Sequence, residues 1–138
     1  MKLPVVNHPL KAVIILAAAT LALGAQMPDF NYYRTKVEPI FTTKRPTHAR
    51  CIVCHIGRTS FDLQPLAKGA TWTEAESRKN YEMLLKLVNT AKPEASLLLM
   101  HPLAEAGGGD DFHSGGRQFA NKQDPNWVTL KNWITGAK

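Results

Sequence analysis

Both cysteines of the chain stand two residues apart, with a histidine directly after the second, in the stretch CIVCH that runs from Cys51 through Cys54 to His55. Thiols and an imidazole at this spacing suit three kinds of chemistry. They are a redox-active disulfide, half of a zinc site, and the covalent attachment of a haem. Each needs a different setting, so the rest of the sequence separates them.

The setting of the motif favours the haem. A redox disulfide of this type belongs to alternating strands and helices, and no alternating strand pattern occurs here. A zinc site needs four ligands, but the remaining histidines form no closely spaced pair; they are His8, His48, His101 and His113. Covalent attachment uses the whole motif, because two thioether bonds need Cys51 and Cys54 at this spacing and His55 can then bind the iron. The sequence therefore predicts one covalent haem c.

The N-terminal residues 1–27 are expected to direct the chain out of the cytoplasm. Residues 12–25, AVIILAAATLALGA, are apolar or small and follow a short basic start, which is typical of an export signal. The run is shorter than the ~20 residues of a usual membrane-spanning helix. Two alternatives stay open: a cleaved signal peptide, or an uncleaved anchor formed by residues 10–27. Both place residues 28–138 in the periplasm, and haem of this kind is attached outside the cytoplasm.

The charge of the chain bears on its partners. The formal net charge is +6, but the basic residues are scattered and form no long run. Without such a run, we expect no nucleic-acid partner. A modestly positive surface fits docking to an acidic redox protein. If the N-terminal segment stays uncleaved, it would also attach the chain to the membrane.

Residues 28–138 are predicted to form one all-α domain. Tyr33, Val37 and Phe41 recur at helical spacing and predict a first helix over residues 30–41. Pro39 lies late in this pattern and predicts a kinked or fraying last turn. No convincing pair of strands occurs anywhere in the domain.

Capping signals predict the later helices. Thr73 and Glu76 form a capping box that opens a helix running to about residue 91. A short apolar turn of helix at residues 94–100, EASLLLM, is stopped by Pro102 and precedes a glycine-rich loop. Asp124 and Pro125 then predict the cap and first residue of a last helix with an aromatic stripe.

The order of the segments CIVCH, LQPL, SLLLMHPL, FHSGGRQF and DPNWVTLKNWI resembles the mono-haem c-type cytochromes of the planctomycete-type cytochrome c group, over about residues 37–136. Such domains are similar to class I cytochromes c, in which the first and last helices cross beside the haem edge. The resemblance implies single-electron transfer between redox proteins, without an enzyme activity. The small size and the possible anchor suggest a carrier or subunit of a respiratory or photosynthetic membrane complex. The alternative is a haem enzyme or a gas-binding sensor with an open distal site.

The second ligand of the iron is left open by the sequence. Class I domains usually supply a methionine before the last helix, often as Met-Pro-Pro, and this chain has no such stretch. His113 is the first choice, because its glycine-rich loop lies about where that methionine would fall. Met100 and His101 are alternatives, and an iron without a second ligand is another. The resemblance further implies that the carbonyl of Pro65, ten residues after His55, accepts the proximal imidazole N–H.

Overall fold

The structure is a computed structural model that describes residues 26–137. The expected signal or anchor lies outside this range, apart from residues 26 and 27. Within residues 26–137 the chain forms helices and no strand, with one isolated parallel bridge between Leu103 and Phe119. The predicted all-α class is therefore confirmed for these residues. None of the helices in this range has both the length and the apolar character needed to cross a membrane.

The first helix, α1, is irregular in its middle. It consists of Phe30–Tyr32, a π-helical turn Tyr33–Val37, and Glu38–Thr42. Pro39 has no N–H to donate to the preceding turn. In the π turn directly before it, the N–H of Glu38 donates to the carbonyl of Tyr33, five residues back. The kink expected at Pro39 is therefore a π turn before the proline, and the helix continues for another turn beyond it.

Four further helices follow. They are α2 (Cys51–Cys54), α3 (Glu74–Leu85), α4 (Leu97–Met100) and α5 (Pro125–Thr135), with short 3-10 turns at Pro93–Ala95 and Glu105–Gly107. The capping box predicted at Thr73 and Glu76 is present at the start of α3. The side chain of Asp124 caps α5 by accepting from the N–H of Asn126 at 2.9 Å. Both predicted helix starts are confirmed.

The end of α3 was predicted wrongly, since the helix stops at Leu85 rather than near residue 91. The next three N–H groups bond back to the carbonyls of residues 83–85, which closes the helix. The chain then pairs with the segment before and within α4. Leu87 accepts from the N–H of Leu98 at 3.3 Å, and the N–H of Asn89 donates to Ser96 Oγ at 2.9 Å. Groups used in these long-range bonds cannot also continue a helix.

The core joins α1 to α5 through aromatic side chains. The rings of Tyr33 and Trp133 lie 5.8 Å apart between centroids, and both side chains are fully buried. Trp133 Nε1 also donates to the carbonyl of Asp29 at 2.9 Å, which holds the start of α1 against α5. Burying each large apolar side chain contributes about 1.5–3 kcal/mol. This contact holds α1 against α5.

An ion pair ties the segment before α2 to the start of α5. Arg45 donates to both carboxylate oxygens of Asp124, at 3.2 and 2.5 Å, and the side chains are only 25% and 12% exposed. Burial alone would raise the pKa of Asp124. The hydrogen bonds from Arg45 and from the N–H of Asn126 outweigh burial and lower that pKa. The pair therefore stabilises the approach to α2 most when the carboxyl is ionised.

We expect Asp124→Asn to lower the free energy of unfolding by about 1–2 kcal/mol at neutral pH, because asparagine still caps the helix but loses the ionic bonds. A lowered carboxyl pKa stabilises the fold above the unfolded value of about 4. That contribution is lost as the pH falls through the lower, folded value. In urea denaturation the gap between the native chain and the variant should therefore shrink at acid pH.

The matched variant is Asp124→Ala, which loses the cap as well as the charge. It should stay less stable than Asp124→Asn at neutral and at acid pH, since the cap does not depend on ionisation. A gap between the native chain and Asp124→Asn that stays constant down to about pH 3 would contradict the ionic contribution.

Candidate functional site

The CIVCH motif forms α2, a single turn of helix. Arg50 enters it in an extended conformation, and the N–H of His55 closes it on the carbonyl of Cys51 at 3.1 Å. Residues three apart share a face of a helix, so Cys51 and Cys54 lie on the same side. Ile52 is buried in the core and anchors the turn. Both sulfurs are thus presented together, next to the imidazole that follows them.

The two thiols are not bonded to each other. Burial raises the pKa of Cys51 to about 11. Redox-active cysteines of the C-x-x-C type work the other way, with a pKa lowered to make the thiolate. The Cys51 thiol is therefore neutral near pH 7, unlike the thiolate that redox-active pairs use.

His55 is held in one orientation by the loop that follows α2. Its Nδ1 lies 3.0 Å from the carbonyl oxygen of Phe61 and 2.9 Å from Thr59 Oγ1. A carbonyl only accepts, so Nδ1 carries the proton and Nε2 keeps its lone pair. Burial lowers the pKa of His55, which favours this neutral form. An oriented neutral imidazole with a free Nε2 is the form that binds metals.

The expected role of Pro65 is corrected by this geometry. The carbonyl that meets His55 Nδ1 belongs to Phe61, and Pro65 is exposed. The loop doubles back early, since the N–H of Leu63 donates to the carbonyl of His55 at 2.8 Å. A backbone carbonyl six residues after His55 is therefore already in place as the acceptor.

A cavity of about 320 Å³ opens beside α2. Cys51, Cys54 and His55 form part of its wall, and His101 and His113 line it as well. Apolar side chains make up much of the remaining wall: Ile40, Phe41, Leu87, Leu97, Leu98 and Leu130. Cofactor pockets are usually of roughly 300–1,000 Å³, mostly apolar, with a few placed polar groups. This cavity has that character.

His113 lies opposite His55. The two imidazole rings are 6.2 Å apart between centroids, and their planes differ by 29°. Nδ1 of His113 donates to the carbonyl of Gly116 at 2.5 Å, so its Nε2 is also free, and burial lowers its pKa. A Cβ on Gly115 would come within 3.3 Å of His113 Cε1 and 4.0 Å of Cys54 Sγ. A side chain at this position would therefore press on the His113 ring, whereas Cys54 lies at an ordinary contact distance.

His101 stands beside His113 at the edge of the cavity. The two rings are 5.0 Å apart and nearly perpendicular, and the side chain of His101 is 47% exposed. Its Nδ1 bonds to Asp110 Oδ2 at 2.7 Å. Arg117 donates to Asp110 Oδ1 at 3.1 Å and to the carbonyl of His101 at 2.8 Å, which ties this corner together. The sequence singled out His101 but missed the Asp110–Arg117 support.

Met100 is not part of the cavity wall. Its carbonyl accepts from the N–H groups of Leu103 and Asp110, at 3.2 and 3.3 Å, so the residue shapes the turn after α4. This placement argues against Met100 as a second ligand. The structure therefore brings together Cys51, Cys54, His55, His101 and His113, and it leaves Met100 and Pro65 outside.

The residues that sequence reasoning missed act through their backbone or their small size. Phe61 and Gly116 provide carbonyl oxygens, which every residue type carries, so no side-chain pattern marks them. Gly115 could have been suspected from the glycine-rich loop, since glycine permits close approach. Among residues 26–137 no group of three or more histidine, cysteine or carboxylate side chains is arranged to hold a metal ion by itself.

Comparisons of the chain with known protein families, with curated proteins and with solved structures found no match.

Proposed function

We propose that the chain is a single-haem c-type cytochrome that carries one electron at a time. Cys51 and Cys54 would hold the haem through thioether bonds, and His55 and His113 would bind its iron. The observation that carries this proposal is the placement of CIVCH in the wall of one apolar cavity, opposite a second neutral imidazole. The motif predicts the covalent haem, and the two histidines would supply both nitrogen ligands of its iron.

The distance between the two ring centres is close to that of two imidazoles bound to one metal ion. A metal–imidazole nitrogen bond of about 2 Å, with about 1.2 Å more to the ring centre, places the centres of two opposed ligands about 6.4 Å apart. The rings of His55 and His113 are 6.2 Å apart. Each ring is oriented by a carbonyl on Nδ1 and presents Nε2, as metal-binding histidines generally do.

The side chains of the cavity would have different roles. When bound, the haem supplies the one-electron chemistry of iron, which alternates between the ferric and ferrous states. His55 and His113 would both bind the iron, which would leave no position on it for a substrate. The apolar wall would keep water away from the haem. Separately, two imidazole ligands favour a lower reduction potential than one imidazole and one methionine.

The finer features of fold and location belong to the same proposal. The domain would be a class I cytochrome c-like fold, supported by the packing of α1 against α5 beside the cavity. An export signal or an anchor in residues 10–27 would place it on the periplasmic side. Its partners would be redox proteins, and it would serve a respiratory or photosynthetic membrane complex as carrier or subunit.

Absorption spectra of the matured protein test the proposal directly. We expect a pyridine haemochrome of the thioether type and six-coordinate, low-spin iron in both oxidation states. We also expect no methionine-to-iron charge-transfer band, and no change when carbon monoxide is added to the reduced protein. Ready binding of carbon monoxide would favour the haem enzyme or gas-binding sensor instead, and a methionine band would overturn the role of His113.

A further inference from the structure

Four buried polar side-chain atoms of α1 and α3 have no hydrogen-bond partner within residues 26–137. They are Tyr33 Oη, Glu38 Oε2, Ser77 Oγ and Asn80 Nδ2. Tyr33, Ser77 and Asn80 have no solvent-exposed surface at all. Native proteins pair nearly all such groups, either with protein atoms or with ordered water. The presence of four such atoms in two neighbouring helices therefore suggests that they share a hydrogen-bonding partner.

The π turn of α1 brings two of these atoms to one side. In an α-helix each residue advances by about 100°, so residues five apart point well away from each other. In a π turn the bond runs between residues five apart, which lie one above the other. The N–H of Glu38 donates to the carbonyl of Tyr33 in this way. The carboxylate of Glu38 thus lies beside the phenol, and burial together with that carboxylate raises the pKa of Tyr33.

α3 contributes the other two atoms from a single face. Ser77 and Asn80 are three residues apart and lie one above the other on the helix. Asn80 Oδ1 accepts from the N–H of Gln64 at 2.7 Å, which fixes the amide so that Nδ2 is the end left over. The amide of Asn80 and the carboxylate of Glu38 both come close enough to the Tyr33 hydroxyl to act on its pKa as hydrogen-bonding groups. Neither meets that hydroxyl with the geometry of a full direct hydrogen bond, so all three groups keep bonding capacity for a further partner.

We propose that these four atoms bind one ordered internal water molecule that joins α1 to α3. The ligand must donate to Glu38 Oε2 and accept from Asn80 Nδ2. A bare cation cannot do the second and a simple anion cannot do the first, whereas water does both. The two hydroxyls can each donate or accept, and buried waters make about three hydrogen bonds, with a range of two to four. The water would stabilise the π turn by satisfying the groups that the turn brings inward.

A double-mutant cycle on the haem-loaded protein tests this site. Tyr33→Phe and Ser77→Ala each remove one contact to the water, and each should lower the melting temperature by about 3–6 °C. If both side chains bind the same water, the double variant should lose clearly less than the sum of the two single losses. Tyr81→Phe is the matched control, since Tyr81 donates directly to the carbonyl of Pro28. Its loss should add to that of Ser77→Ala.

A crystal structure of the unaltered protein at high resolution gives the second readout. It should show one water within hydrogen-bonding distance of at least three of the four atoms. Additive losses in the Tyr33–Ser77 cycle, or a direct bond between Tyr33 and Glu38 with no water beside them, would overturn the proposal. Both measurements are independent of the haem ligands, so their failure leaves the proposed function untouched.

Discussion

Replacing His113 with alanine is expected to convert the haem-loaded protein from a six-coordinate, low-spin form to a five-coordinate, high-spin form. Alanine offers no donor atom to the iron, and the other histidine of that wall, His101, is held by its bond to Asp110. The reduced variant should then bind carbon monoxide, which the native protein should not. Absorption spectra of both oxidation states, recorded with and without carbon monoxide, measure the change.

Two other histidines provide controls for this variant. His48 does not line the cavity, and its Nδ1 lies 2.7 Å from the carbonyl of Pro46, so His48→Ala should leave the spectrum unchanged. His101→Ala is the sharper comparison, because His101 lines the cavity beside His113. It should keep the low-spin form. A high-spin spectrum from His101→Ala, with a native spectrum from His113→Ala, would contradict the proposed ligand.

The parts of this protein that the sequence predicts are the parts governed by a few adjacent residues. Cys51, Cys54 and His55 form one helical turn, so their spacing alone determines that both sulfurs and the imidazole are presented together. The start of α5 is local as well, because the carboxylate of Asp124 reaches the N–H of Asn126 two residues away. Features of this kind depend on no distant contact, so they can be predicted from the sequence alone.

The features that the sequence does not predict depend on distant contacts or on backbone atoms. The helix α3 stops early because Ser96 and Leu98 bond to the residues that would have continued it. Its buried face includes Ser77 and Asn80, which a hydrophobic pattern reads as solvent-exposed positions. The partner of His55 is the carbonyl of Phe61, a group without a sequence signature. Tertiary structure decides each of these features.

Gly109→Ala is expected to be among the most damaging substitutions in the chain, with a loss of about 3 kcal/mol in the free energy of unfolding. A Cβ at this position would overlap the carbonyl oxygen of Leu103 and would lie 2.6 Å from the carbonyl carbon of Leu103 and 2.9 Å from the oxygen of Met100. These are backbone atoms, so no side-chain rotation relieves the overlap. The N–H of Gly109 also donates to Ala104 at 3.0 Å, which holds the loop in this conformation. Urea denaturation measures the loss.

The same substitution should also affect the proposed haem site, because Asp110 follows directly and holds His101 next to His113. We expect a mixture of low-spin and high-spin iron in the Gly109→Ala protein. Gly69→Ala is the matched control: its φ of +78° also disfavours alanine, but nothing lies within 4 Å of the added carbon. It should cost about 1–2 kcal/mol and leave the spectrum native. Equal losses from the two variants, with native spectra in both, would mean that the loop adapts to the added carbon. That result would contradict the idea that close packing of Gly109 against Leu103 positions His101 and His113.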